Sequence, residues 1–124
     1  MKKYVVKNTP LLEKKLDKYI SYLKNEKKSL QAAQSLFDDF IETRKSLEKT
    51  AGMLQNPDDD NLKSRNLKRI NFRHHNYFLL FRITENVVEI VTMFHGLEDY
   101  RKKLNKEATL YIVPSRRSIA TMNL

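Results

Sequence analysis

The spacing of apolar residues changes once along this chain, and that change constrains the fold more than any motif does. Up to about residue 51 they recur every three or four positions, as on one face of a helix. From about residue 68 they alternate, as on a strand, and residues 77–83 are apolar on both faces, as a central strand buried on both sides would be. A helical half and a sheet half therefore share 124 residues, enough for one domain with one thin core.

A short strand opens the chain at residues 3–8, with Tyr4 and Val6 on one face and Val5 on the other. Thr9-Pro10 then supplies an N-cap and a proline at the first helical position, where a missing N–H costs nothing. The spacing predicts a helix over 10–25, with Leu12, Leu16, Tyr19, Ile20 and Leu23 on one face. After the polar link 25–28, Ser29 caps a second helix over 30–51. Its stripe reads Ala33, Phe37, Phe40, Ile41 and Leu47, with Leu36 at the edge and Gly52 as the stop. So short a link makes the pair an antiparallel hairpin.

Residues 55–66 form a polar loop. Its run Asp58-Asp59-Asp60 reads as solvated, since the oxygen spacing and glycine of a calcium loop are missing. Strands follow at 68–75, 77–83 and 87–94, turning at Asn76 and at Thr84-Glu85-Asn86, so they form an antiparallel meander. The first strand is expected to pair with one edge of that meander. The helices are expected on one face of the sheet, leaving the other for something else to cover. A short helix at 97–104 completes a domain over 1–105, and 106–124 reads as an extension. In that extension Thr109–Val113 could be a strand and Arg116-Arg117 a basic turn. The class is α+β: strand, antiparallel helical hairpin, three-stranded antiparallel meander, short C-terminal helix and tail.

Charge is the first pointer to function. Lys and Arg total 24 against 15 Asp and Glu, a formal +9, which favours an acidic partner such as nucleic acid, a ribosome or an acidic protein. The absence of cysteine excludes disulfides and thiolate chemistry, and three histidines without cysteine argue against structural zinc. No metal and no cofactor are expected. No apolar run approaches the roughly 20 residues of a membrane span, and the N-terminal apolar stretch is too short for a signal peptide. The expectation is a cytoplasmic protein without membrane contact.

The element order, together with particular residues, resembles the RelE/ParE toxin superfamily over about residues 3–104. The resemblance starts at Tyr4-x-Val6 and Thr9-Pro10 and runs through Tyr19-Ile20, Ala32-Ala33, Ile41 and Leu47. It is densest at Arg69-Ile70, Asn76-Tyr77-x-x-Leu80-Phe81-Arg82-Ile83, Val87-x-x-Ile90 and His95-Gly96-x-x-Asp99. It implies the toxin of a type II toxin–antitoxin pair, a growth inhibitor with a role in plasmid stabilisation. It also implies neutralisation by a cognate antitoxin and room for higher-order toxin–antitoxin complexes. RelE-like members cut messenger RNA in the ribosome. ParE-like members poison DNA gyrase without a recognised catalytic constellation. The chain departs from the nuclease pattern, since Phe78 follows Tyr77 where those enzymes commonly carry Arg, and His95-Gly96-Leu97-Glu98 lacks a further Arg after the last strand. The ParE-like reading is therefore favoured, with a ribosome-dependent mRNA endonuclease as the alternative. A degenerate member kept for antitoxin binding or autoregulation is the third reading.

Candidate residues follow from both arguments. The resemblance puts Arg73 at an arginine of the nuclease pattern, with Arg82 on the neighbouring strand and His95 ending the last, and a nuclease would use them as positive charge on the phosphate and as proton acceptor. Target or antitoxin contacts are expected at Arg69, Arg73, Arg82, His95, Tyr100 and Arg101, whose bland reading is solvated charge and, for Tyr100, packing. His74 and His75, as neighbours on a strand, would point to opposite faces and could not easily serve one site. The basic run Lys63-x-Arg65-x-x-Lys68-Arg69 could contact nucleic acid or simply be solvated.

Overall fold

The computed structural model describes residues 3–110 apart from Asn56, with side chains as far as Glu107. Strand β1 (Val5–Asn8) leads into helix α1 (Pro10–Ser21), a π-helical turn (Tyr22–Glu26) and helix α2 (Leu30–Thr50), which closes in a 3-10 turn at Ala51–Met53. A single turn of helix, α3 (Asp60–Lys63), precedes β2 (Lys68–Asn71), β3 (Tyr77–Thr84), β4 (Val87–His95) and α4 (Tyr100–Leu110). Among these residues no helix is long and apolar enough to cross a membrane.

The caps form where the sequence places them. The Thr9 hydroxyl accepts the Leu12 N–H at 3.1 Å and donates to the Val91 carbonyl at 2.7 Å, so one side chain both starts α1 and fastens it to the sheet. Between the helices Lys28 sits at φ 50°, reversing the chain, and the Ser29 hydroxyl accepts the Ala32 N–H at 3.1 Å.

The sheet order is β1-β4-β3-β2. β2, β3 and β4 form the antiparallel meander, and β1 joins its β4 edge in parallel, Val5 opposite Val87 and Asn8 opposite Ile90. Leu80 faces Thr92 while Phe81 faces Ile90, so Val91 is an extra residue and β4 bulges there. The main core lies under the hairpin: Leu12, Leu16, Leu36, Phe40 and Leu47 pack on Leu79, Phe81, Val88, Ile90 and Met93.

The second face is not left open as expected. Leu62, Leu67, Phe78, Leu80, Val91, Phe94 and Leu104 bury one another there, with Tyr100 packed against them, so α3 and α4 cover much of it. The reason is β3 itself: it is apolar on both faces, and a strand so built must be covered twice.

Three further expectations are corrected. In α2, Leu36 is fully buried, whereas Phe37 and Ile41 are 42% and 44% exposed. The inward line is Ala33, Leu36, Phe40, Thr43 and Leu47, with Asp39 buried beside it, because polar residues can take inward positions once their bonds are met. Strand β2 stops at Asn71 instead of reaching residue 75, since Asp39 draws off the N–H groups of Arg73 and His74. The last helix starts at Tyr100 instead of residue 97 and runs to Leu110, so Thr109 and Leu110 are helical where the sequence also allows a strand. The remainder of that strand reading and the Arg116-Arg117 turn lie outside the described residues.

Candidate functional site

At the rim of the sheet β3 and β4 bring Tyr77 opposite His95, their rings edge to face at 4.8 Å. Glu98 gathers this corner: its carboxylate accepts the Tyr19 hydroxyl, the His95 N–H at 2.8 Å and the Lys103 ammonium at 2.6 Å. Burial pushes the Glu98 carboxyl up, but the bonds from Lys103, Tyr19 and the His95 N–H outweigh it and hold the pKa down at about 2. Tyr19 moves the other way, raised first by burial and then by its bond to Glu98. The His95 Nδ1 accepts the Leu97 N–H at 3.1 Å, so the ring helps to shape the turn. Gly96 leaves room at that turn for the Asn76 side-chain amide, which a Cβ there would displace.

On the second face Arg69, Tyr100 and Arg101 come together. The Arg69 guanidinium lies 3.7 Å over the Phe78 ring, Tyr100 meets the same ring edge-on at 5.4 Å, and Arg101 reaches Asp59 at 3.3 Å. Tyr100 thus packs into the smaller core while its helix carries Arg101 outward. Beside them Lys15, 13% exposed, ties α1 to β4 and α4 through Thr92 at 3.0 Å, Glu107 at 2.9 Å and the Phe94 ring at 3.4 Å. Burial lowers the Lys15 pKa, against the pull of Glu107.

Arg73, Arg82 and His95 do not converge. Arg82 pairs with Glu89 at 2.8 Å, five residues along β3 from Tyr77, or about 17 Å at strand spacing. Arg73 sits in the β2–β3 turn, at the same end of the sheet as Tyr77 and His95, but its side chain is 72% exposed and faces Glu42 at 3.4 Å. Next to it is an arrangement the sequence did not suggest. Asp39, its side chain 1% exposed, accepts the Arg73 N–H at 3.3 Å, the His74 N–H at 2.9 Å and the His75 Nδ1 at 2.7 Å. Burial pushes the Asp39 carboxyl up, but His75 and the two backbone donors hold it below the usual range. The other His75 nitrogen meets the Ser35 hydroxyl at 3.3 Å.

With this geometry in view, comparison with known proteins is informative. The family described as "ParE toxin of type II toxin-antitoxin system, parDE" matches residues 6–100, well over half of the chain. The chain belongs to the ParE toxin family. A solved structure titled "Chromosomal ParDE TA system from P. aeruginosa" superposes with a TM-score of 0.61 at 15% identity, over 74% of this chain and 95% of that one. That likeness concerns the fold of this ParE family member. No curated protein matches it.

Asp39, Glu98, Lys15 and Ser35 were missed by sequence reasoning. Asp39 left one signal, since of the adjacent acids Asp38 and Asp39 it is the one in helical register with the inner side of α2. Glu98 left none, because its partners come from α1, β4 and α4 and meet only after folding.

Proposed function

We propose that this ParE family toxin arrests growth by engaging DNA gyrase, acting in the cytoplasm until an acidic antitoxin silences it. The observation that carries a binding role over a nuclease role is the dispersal of Arg73, Arg82 and His95. Phosphate stabilisation and proton transfer need groups around one bond. Here two of the three face carboxylates of their own chain, and the third is built into a turn. Arg69 and Arg101 around Tyr100, with Arg73, Arg82 and His95 along the rims, remain the proposed contacts for target or antitoxin.

The antitoxin reading rests on charge and exposed apolar surface. A chain of net +9 with Leu30, Phe37 and Ile41 exposed on one line of α2 suits an acidic, amphipathic segment that orders on binding. The test is a supercoiling and DNA-cleavage assay with purified gyrase. Loss of supercoiling with accumulated cleavage complexes, both reversed by the cognate antitoxin, is the expected result. Messenger RNA fragments from translating ribosomes, with gyrase untouched, would establish the endonuclease instead.

A further inference from the structure

An open cavity of about 410 Å³ between α2 and the β2–β3 turn is lined by Gln31, Ser35, Asp39, Glu42, His74 and His75, among others. Within it Ser35, His75 and Asp39 form a hydrogen-bonded line. The His75 Nδ1–H donates to Asp39 at 2.7 Å, which leaves Nε2 to accept the Ser35 O–H at 3.3 Å. Asp39 is fixed by its place inside α2 and by two backbone N–H groups, so the imidazole is oriented by a buried carboxylate. Ser35 and Asp39 lie one helical turn apart on α2, so the helix itself sets their spacing.

We propose that Ser35 is an activated nucleophile, with His75 as its general base and Asp39 as the positioning residue, and that it takes acyl groups from activated esters. This is an activity separate from the toxin's effect on its target. The same three roles recur on unrelated folds and are recognised by geometry, not sequence order. The separation of 3.3 Å is at the loose end of reach, as nucleophile–base pairs often are without substrate. In the first step a bond forms from Oγ to the acyl carbon and the ester C–O bond breaks. The serine proton passes to Nε2 and on to the leaving alkoxide. In the second step water attacks the acyl carbon, its proton goes to Nε2, and the carboxylic acid leaves as the proton returns to Oγ. The backbone N–H groups around Ser35 are engaged within α2, so the oxyanion must rely on side chains such as the Gln31 amide. That restricts the site to good leaving groups. Asp38 and Glu42 on the cavity wall disfavour anionic acyl donors, so the substrates are neutral or cationic.

The test treats the purified full-length chain with a fluorophosphonate probe and locates the adduct by peptide mass mapping. The expected result is one adduct, on Ser35, absent in S35A and formed at least tenfold more slowly in H75Q. Equal denaturation midpoints for wild type and S35A separate lost reactivity from lost fold, since alanine suits a helix at least as well as serine. No adduct on Ser35, an adduct on tyrosine alone, or equal labelling of wild type and H75Q would overturn the assignment.

Discussion

Asp39 shows how one buried charge can organise a turn. Its carboxylate accepts three bonds from Arg73, His74 and His75, and no side-chain polar atom is left buried without a partner among the described residues. D39A leaves two backbone donors and an imidazole without their acceptor. It should cost about 2–4 kcal/mol, read from the urea midpoint at unchanged m. Asp39 and Glu98 both titrate below their ordinary values in the fold. A depressed carboxylate stabilises fully above its unfolded pKa, and that contribution is lost as pH falls through the folded one. For Glu98 the window runs from 4.5 down to about 2. Solvent screens this partly exposed carboxylate, so acidification across the window should remove on the order of 2 kcal/mol, less than the full shift implies, and E98Q should flatten the curve there. G96A should destabilise by about 1–3 kcal/mol by crowding the Asn76 side chain, and N76A should relieve most of that cost in the double variant.

At the scale of elements, α2 separates what pattern can and cannot reveal. Leu36 is fully buried and Phe37 is 42% exposed, although the apolar stripe ranked them in the opposite order. L36A should cost about 2–5 kcal/mol, and F37A should fall within about 1 kcal/mol of wild type in the same unfolding experiment. The helices, their caps, the meander and its pairing with β1 were legible because each has a local cause: Thr9, Ser29, the turn at Thr84-Glu85-Asn86, the alternation in β2 and the β-branched residues of β4. The true face of α2 was not, because Asp39 and Thr43 occupy inward positions that a count of apolar residues skips. The covering of the second face was half legible, since β3 announces two buried faces but cannot say that Leu62, Leu67 and Leu104 will fill one of them. The site was the least legible. Glu98, Tyr19, His95 and Lys103 are brought together by tertiary contact, and separation in sequence hides such a cluster.

The whole molecule is a basic toxin fold whose nuclease candidates Arg73 and Arg82 each face a carboxylate of their own, with arginines on several surfaces and an apolar line on α2. That combination suits a protein that acts by holding another and is itself held by an acidic partner. Family membership supplies the toxin identity, and the separate partners of Arg73, Arg82 and His95 weigh against cleavage of messenger RNA. The most direct measurement is pulse labelling of DNA and protein synthesis in cells just after this chain is induced alone. The account predicts that DNA synthesis stops first while translation continues. Translation stopping first, with DNA synthesis still running, would contradict it.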